Sequence, residues 1–598
     1  MEHKLPCQPD LQLAFKNSRL PSPATWWVCA YAWLVTGCFG DSATSPTPTD
    51  NKPKQTFELY DSSKDTNSDP NGGAIRLTDR ASTVGLNFQY YNDVVAKQLN
   101  LPETIGGGVA AFDYDLDGWC DVYFANGSKI ATDDSSERFH DALFRNRDGT
   151  FSPLSGAATI DEPNFTMGCS VGDVNEDGFE DVFVANKEGG RLLLNQGDGT
   201  FVTQKECFRR AGDELWNAPL IVDVNQDGHV DLLLANYGHW GPDLPRPSYS
   251  YGLGYPRPES LESGSVLIFE NGGNGMFTES PPERGFQGAT KCLGVAAVDL
   301  NKDLFPEIYL ANDGIANLMF HRDAIGHWKD IAETTGVAFG LDGAMEASMC
   351  VTAFDFGRRG EVDLYITNYI ATKNTLYSNS GNLKFRDISE LVRNDVIGRP
   401  YVGWGTVPID FDLDGWIDLL IANGHIVSPS ATNFRMPNQL AQNVEGVLYD
   451  VSARSGDFFR NSANGRSVAT LDYNNDRIME AAITYTDAPV SLVVNEGLPR
   501  HNGLCVEVFD PQQRTLVGGR LEIVIDGQTT AIPMVAGGSY LSESQKRWTI
   551  GLGESVGPIE LRVYWPDGQI DHWPVVETDF ILRLTKQRLW RIPPFRKP

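Results

Sequence analysis

A nine-residue acidic loop of one design recurs seven times along the 598-residue chain, and no other feature constrains the fold as strongly. The copies read DYDLDGWCD (113–121), DVNEDGFED (173–181), DVNQDGHVD (223–231), DLNKDLFPE (299–307), DFGRRGEVD (355–363), DFDLDGWID (410–418) and DYNNDRIME (472–480), and successive copies start 50 to 76 residues apart. A period of that order signals a repeat architecture. Each loop follows a short apolar run such as GGGVAAF, APLIV or MCVTAF and precedes another such as VYFAN, LLLAN or LYITN. Short apolar runs bounded by turns read as buried strands. A third run leads to a glycine-rich hairpin, as in NRDGTF (146–151), NQGDGTF (195–201), NGGNGMF (271–277) and NSGNLKF (379–385), and a fourth strand follows. Four antiparallel strands repeated around an axis make a propeller blade, which leaves few open sheet edges. The expected fold is all-β: a seven-bladed β-propeller over 72–497, then a small β-sandwich or barrel over 498–598. The seventh repeat stops after its third strand at VVNEG (493–497), so TVGLNFQYY (83–91) is expected to supply the missing strand and close the ring. The sixth repeat shows no recognisable second hairpin.

The loop chemistry points to calcium. Oxygen-bearing side chains occupy positions 1, 3, 5 and 9, and a tight turn, usually at a glycine in position 6, lets them converge. Several anionic oxygens without sulfur or imidazole suit calcium over zinc. An EF-hand is excluded, because Phe124 and Val184 stand where its bidentate glutamate is required, and strands flank the loop. The candidate ligands are Asp113, Asp115, Asp117 and Asp121 in loop one and Asp410, Asp412, Asp414 and Asp418 in loop six, the two richest sets. Loops two and three offer Asp173, Asn175, Asp177, Asp181 and Asp223, Asn225, Asp227, Asp231. Loop four (Asp299, Asn301, Asp303, Glu307) and loop seven (Asp472, Asn474, Asp476, Glu480) lack the glycine and are expected to bind more weakly. In loop five Arg359 is expected to replace the metal and to pair with Asp355 and Asp363. Up to six Ca2+ sites follow.

The D-x-D-x-D-G-x-x-D loops, the following "-AN" strands and the NxGDGTF hairpins resemble FG-GAP/VCBS repeats, the blade type of integrin α propellers. Near the C-terminus, GGSYLS (537–542), GLG (551–553) and WPDG (565–568) resemble the ASPIC/UnbV domain. Together they are similar to the bacterial relatives of cartilage acidic protein. The resemblance implies a propeller, calcium and an extracellular setting, and no established reaction.

Acidic residues outnumber basic ones, 79 to 49, for a net charge of -30, which argues against a nucleic-acid partner. Residues 1–38 read as an export signal: Lys4, Lys16 and Arg19 precede an apolar run from Trp26 to Gly37 that is too short to span a bilayer. Val35-Thr36-Gly37-Cys38 resembles a lipobox, so Cys38 is the expected lipidation site. Residues 39–71 are polar and rich in Pro and Ser, and read as a disordered tether. The expected location is the outer membrane or cell surface, with the periplasm or secretion as the alternative, and the only membrane contact is the lipid anchor. The dispersed cysteines, among them Cys169, Cys292 and Cys350, read as buried small hydrophobes, with one disulfide left open.

Alternating strand direction puts the acidic loops and glycine hairpins on one face and the long insertions 127–141, 237–262 and 424–446 on the other. The middle insertion is dense in Tyr, Trp and Pro. Trp240, Tyr249, Tyr251 and Tyr255 are candidate ligand-binding rings, set against the alternative that they pack over the channel mouth. His239, His425 and Trp404 are expected near the same face. No catalytic motif was found. The expected function is a monomeric calcium-binding, envelope-anchored or secreted binding or adhesion protein for a glycan or protein partner. The alternative is a lyase-like enzyme acting on extracellular polysaccharide.

Overall fold

The computed structural model describes residues 75–594, apart from 95–98, 131–138, 155–159, 205–207, 211–213, 242–243, 250–251, 282–283, 427–432, 498–500 and single positions between them. The expected leader, Cys38, the tether and Tyr251 lie outside the described residues.

Seven antiparallel sheets follow one another along the described chain, six of four strands and the fourth of five, its extra strand being Ala536–Gly537. The first consists of Val109–Phe112, Asp121–Phe124, Ala142–Arg147 and Thr150–Pro153 in sequential order. The first strands of the other six are Thr166–Gly172, Glu214–Val222, Cys292–Val298, Ser348–Phe354, Gly403–Ile409 and Gly465–Leu471. Each first strand packs against the first strand of the next sheet, and the seventh packs against the first, so these strands close a ring around an axis. They are buried almost throughout, as strands covered on both faces must be. Each acidic loop joins the first and second strands of its sheet, which are in register immediately beyond it: Phe112 opposite Asp121, Val222 opposite Asp231, Ile409 opposite Asp418. The missing sixth hairpin is Gln439–Val444 with Val447–Asp450, turning at Glu445 and Gly446, both at positive φ.

The ring closes with a different segment from the one expected. Leu77–Asp79 pairs antiparallel with Ser491–Asn495 as the outermost strand of the seventh sheet. Residues 83–91 instead run from the end of a short 3-10 turn, Ala81–Val84, to a bridge from Gln89 to Pro489, with Phe88 and Tyr90 buried in the core. Strand composition could not separate the two, since apolar residues in 83–91 are demanded by packing whether or not they pair.

The C-terminal part holds two more four-stranded sheets. One has Gly503–Val508 between Arg547–Gly551 and a parallel partner, Ile581–Thr585, with Arg588–Ile592 at the edge. The other orders Gln528–Pro533, Arg520–Ile525, Ile559–Tyr564 and Ile570–Val575. Leu504, Val506, Leu521, Ile523, Leu561, Trp565 and Leu582 from the two sheets share one core, the packing of a small sandwich. The five cysteines described, Cys120, Cys169, Cys292, Cys350 and Cys505, are free and buried.

Neighbouring blades are tied by a recurrent side chain. The asparagine that opens each glycine hairpin donates its Nδ2 to the backbone carbonyl at position 2 of the preceding acidic loop. Asn146 reaches Tyr473, Asn195 reaches Tyr114 and Asn271 reaches Val174, each at 2.7 Å. Asn379 reaches Leu300 at 2.8 Å, Asn443 reaches Phe356 at 3.2 Å and Asn495 reaches Phe411 at 2.8 Å. In the fourth blade Arg322 takes this place and donates to the Asn225 carbonyl at 2.9 Å. Asn271→Ala should therefore cost about 2 kcal/mol, because it leaves the buried carbonyls of Val174 and Val230 without their donor. Chemical denaturation checks this; a loss below about 0.5 kcal/mol would refute the latch.

Candidate metal centres

The shape of each acidic loop is imposed by its own carboxylates. The position-1 aspartate accepts the position-6 amide in every loop, and in loops one, two, five, six and seven the position-5 amide as well. In loop one these are Asp117 N–H at 3.1 Å and Gly118 N–H at 2.8 Å on Asp113. In loop six they are Asp414 at 3.1 Å and Gly415 at 2.9 Å on Asp410. The position-9 acid accepts the position-2 amide in all seven loops, from Tyr114 on Asp121 at 3.1 Å to Tyr473 on Glu480 at 3.1 Å. Its other oxygen accepts the amide of the hairpin asparagine, as from Asn146 to Asp121 at 2.7 Å and from Asn443 to Asp418 at 2.8 Å. A carboxylate has about four lone-pair sites, so each keeps capacity for a cation.

The glycine at position 6 adopts a positive φ of 89° to 93° in Gly118, Gly178, Gly228 and Gly415. Loops four and seven make the same turn without glycine, with Leu304 at φ 72° and Arg477 at φ 78°. Their turns are thus strained and not lost. The amides of Leu304 and Arg477 still reach Asp299 and Asp472 at 3.1 and 3.0 Å.

Among the described residues, three sets of ligand atoms lie within 4.8 Å of one another: Asp113, Asp115 and Asp117; Asp410, Asp412 and Asp414; and Asp303, Glu307 and His321. Burial, reinforced by neighbouring carboxylates, raises the acids of these loops. Asp113 is pushed to about 7, with Asp117 and Asp115 adding repulsion, and Asp231 to about 7, with Asp223 adding to burial. Asp181 reaches about 8, and Asp410 and Asp418 go well above the usual range. Carboxyl groups that resist ionisation when crowded and buried are what a hard divalent cation relieves, so these donor sets fit calcium. In loops two, three, four and seven the position-3 asparagine turns its Nδ2 onto the position-5 aspartate, at 2.8 to 3.0 Å.

In four of the loops a further side chain reaches the site and was not read from the sequence: the residue at the position just before that of the hairpin asparagine, on the third strand. In loop one it is Arg145, whose guanidinium is paired with Asp115 and, at 3.0 Å, with Asp117. In loop four it is His321, with Nδ1 2.8 Å from Glu307 Oε1. In loop five it is Ser378, and in loop six Gln442, whose Nε2 donates to Asp412 at 2.8 Å. Its constant place relative to the hairpin was visible; its direction was not.

Loop five is built differently from the expectation in one respect. Arg359 Nη2 donates to both oxygens of Asp363, at 2.7 and 3.0 Å, and to Ser378 Oγ at 2.8 Å. Asp355 is held by backbone amides instead: Arg359 at 2.8 Å, Gly360 at 2.7 Å and Ala531 at 3.0 Å. The guanidinium offsets part of the burial effect on Asp363, which rises only to about 6. With Gly357 at position 3 and a cation at position 5, this loop does not fit a metal.

The C-terminal domain sits on the acidic-loop face. Ala531 N–H reaches Asp355, Gly551 N–H reaches Asp410 at 2.8 Å, and Arg547 Nη1 reaches Asp472 at 2.9 Å. Arg520 approaches Asp299 at 3.9 Å and Arg514 approaches Glu176 at 3.3 Å. From the same side the segment 536–545, which contains GGSYLS, enters the axis. Ala536 and Gly537 pair with Ala297 and Ala296 of the fourth blade, Glu543 bridges Ala110 of the first, and Ser542 Oγ donates to Val468 O of the seventh at 2.9 Å. Gly537 is needed here: its φ is 69°, and a Cβ would lie 2.5 Å from Val295 O.

On the opposite face two of the expected ligand rings, Trp240 and Tyr255, are buried. Trp240 is buried in the core, with Lys187 5.7 Å above its ring. Tyr255 is buried and donates its hydroxyl to Glu103 at 3.2 Å. These rings close the channel mouth, where their large apolar faces are better covered than exposed. Tyr249 lies in a two-residue strand paired with Gly252–Leu253. Trp404 and His425 are buried near the axis, and His239 is exposed.

Chelation and pH test the metal assignment together. An acid whose folded pKa exceeds its unfolded value near 3.8 binds protons more tightly when folded, so its contribution declines as pH rises from about 4 through its folded pKa. With chelator the melting temperature should fall between pH 4 and about 8, and excess calcium should flatten that slope; parallel profiles with and without calcium would refute metal binding. Arg359→Asp should add one calcium per chain by equilibrium dialysis, and an unchanged stoichiometry would show that Arg359 does not stand in for a metal.

Residues 113–184 and 173–234 match the FG-GAP-like repeat family, and residues 510–589 match the ASPIC and UnbV family. Cartilage acidic protein 1 of Xenopus tropicalis is 24% identical over 476 residues, 77% of this chain; the chain spans 61% of that relative's length. The Homo sapiens protein of the same name is 22% identical over 501 residues, 78% of this chain and 70% of the relative. Among solved structures, an Agrocybe aegerita lectin recognising non-reducing terminal N-acetylglucosamine is 14% identical and covers 69% of this chain and 94% of its own, with a TM-score of 0.35. A Trypanosoma rangeli sialidase is 12% identical and covers 61% of this chain and 58% of its own, with a TM-score of 0.31. The chain carries FG-GAP-like repeats followed by an ASPIC and UnbV domain, and over most of its length it is similar to cartilage acidic protein 1.

Proposed function

We propose that this chain is a calcium-stabilised, exported binding protein that recognises a glycan or protein partner with the propeller face opposite the acidic loops. One observation carries this reading: the C-terminal domain contacts the acidic loops and fills the axis from their side. The calcium face is thereby committed to an internal interface. The opposite face keeps the long insertions, with His239, Pro245, Arg257 and Glu259 exposed along the middle one. Loops on a rigid scaffold are a common home for recognition. Calcium in this reading is structural, since each cation would neutralise acids that also brace a blade.

The lipobox-like residues before Cys38, followed by a polar tether, support attachment to the cell envelope as a monomer. Among the described residues no helix is long and apolar enough to cross a membrane. The protein should show selective binding on an array of acidic and neutral glycans or to envelope proteins, and replacing 241–260 by a Gly-Ser linker should reduce that binding at least tenfold. Turnover of an acidic polysaccharide would overturn the reading in favour of an enzyme, and so would binding that is indifferent to the insertion.

A further inference from the structure

Loop four gathers its ligand atoms in a different place from loops one and six. There the converging atoms are oxygens from positions 1, 3 and 5. In loop four they come from Asp303 and Glu307, at positions 5 and 9, and from His321 on the third strand of the same blade, Leu318–Arg322. An imidazole nitrogen has joined the carboxylates.

Two residues of this blade account for the shift. In loops one, two, three, five and six the position-9 acid is an aspartate, and one of its oxygens accepts the amide of the hairpin asparagine. The fourth blade has Arg322 in place of that asparagine and the longer Glu307 at position 9. Glu307 Oε2 keeps the position-2 amide, from Leu300 at 2.9 Å. Its Oε1 turns to the third strand and lies 2.8 Å from His321 Nδ1. Asn301 faces the same point with its nitrogen: Nδ2 donates to Glu307 Oε1 at 3.0 Å and to Asp303 Oδ2 at 2.9 Å, while its Oδ1 accepts the Asp303 amide at 2.8 Å. Arg520 of the C-terminal domain approaches this loop at Asp299 and is paired with Glu522 at 3.1 Å.

The three ligands run from core to solvent. Glu307 is fully buried, the His321 side chain is 29% exposed and Asp303 is exposed, so the cluster is anchored at one end and reachable at the other. Its atoms lie within 4.8 Å of one another. A tetrahedral zinc ion with bonds of about 2.0 Å holds its ligands about 3.3 Å apart, and three protein atoms with water as the fourth are a zinc donor set. Calcium takes six to eight hard oxygens, whereas imidazole suits zinc and its neighbours in the transition series. A dication would take the place of the proton between Nδ1 and Oε1.

We propose that Asp303, Glu307 and His321 form a site for a borderline transition dication, zinc in preference to calcium, at loop four. The site is independent of which propeller face meets a partner.

The full chain, stripped of metal with chelator and returned to excess calcium chloride, is titrated with zinc chloride by calorimetry, and in parallel with cobalt chloride followed by its visible absorption. One zinc per chain that excess calcium does not displace is expected, with a cobalt band of four-coordinate intensity. His321→Gln gives loop four the side chain that Gln442 brings to loop six. It should weaken zinc at least a hundredfold and remove the cobalt band, with no loss of calcium by equilibrium dialysis. The proposal falls if zinc does not bind in excess calcium, or if its stoichiometry is unchanged in His321→Gln, which would put the metal on another histidine. It falls also if that variant loses one calcium and no zinc, which would make loop four an ordinary calcium site. Should His321→Gln not fold, Asp303→Asn at its exposed position should weaken zinc at least tenfold, and unchanged affinity overturns the site. Calcium is counted separately on the wild type, so failure of zinc here and failure of calcium at the other loops are told apart.

Discussion

The structure depends on carboxylates that are taken out of water and then asked to organise backbone. In every blade the position-9 acid accepts the amide of position 2, and in most it also accepts the amide of the hairpin asparagine. That asparagine in turn donates to the loop of the preceding blade. One buried charge thus sets the geometry of the acidic turn and, through the asparagine, the spacing of two blades. Burying a charge costs free energy unless it is paired and hydrogen-bonded. Hydrogen bonds to amides recover part of that cost, and the raised carboxylates of loops one, two, three and six show that much of it remains. A divalent cation would answer that electrostatic problem in the loops whose donor sets fit one, loop five excepted.

Where a blade solves the problem otherwise, it does so with a protein cation. Loop five uses Arg359 within the loop, and loop one is approached by Arg145 from the third strand. Loop seven receives Arg547 from the C-terminal domain. That last contact belongs to a larger pattern: the sandwich touches five of the seven loops through backbone amides and arginines. Its docking therefore draws on the same negative charge that would hold the metals. Any change in the charge of these loops therefore bears on the domain interface as well.

The axial segment 536–545 gives this interface a second consequence. It reaches from the acidic side into the ring and makes backbone contacts with the first, fourth and seventh blades. The channel is closed from that side by Tyr540 and Leu541, both buried. From the other side it is closed by the packing of Tyr255 and Glu103.

The sequence by itself determined the repeat, the strand order within a blade, the acid sets and the misfit of loop five, because each is a local pattern a few residues long. It also marked the asparagine hairpins and the GGSYLS motif without saying what they touch. Only the tertiary structure decided that Leu77–Asp79 and not 83–91 closes the ring, since closure depends on a partner more than 400 residues away in the chain. It decided that Trp240 and Tyr255 cover the channel mouth, because composition cannot tell a ring offered to a partner from one buried against its own fold. It placed Arg145, His321 and Gln442 over their loops, because a side chain's direction is fixed by the sheet it stands on and by what that sheet packs against.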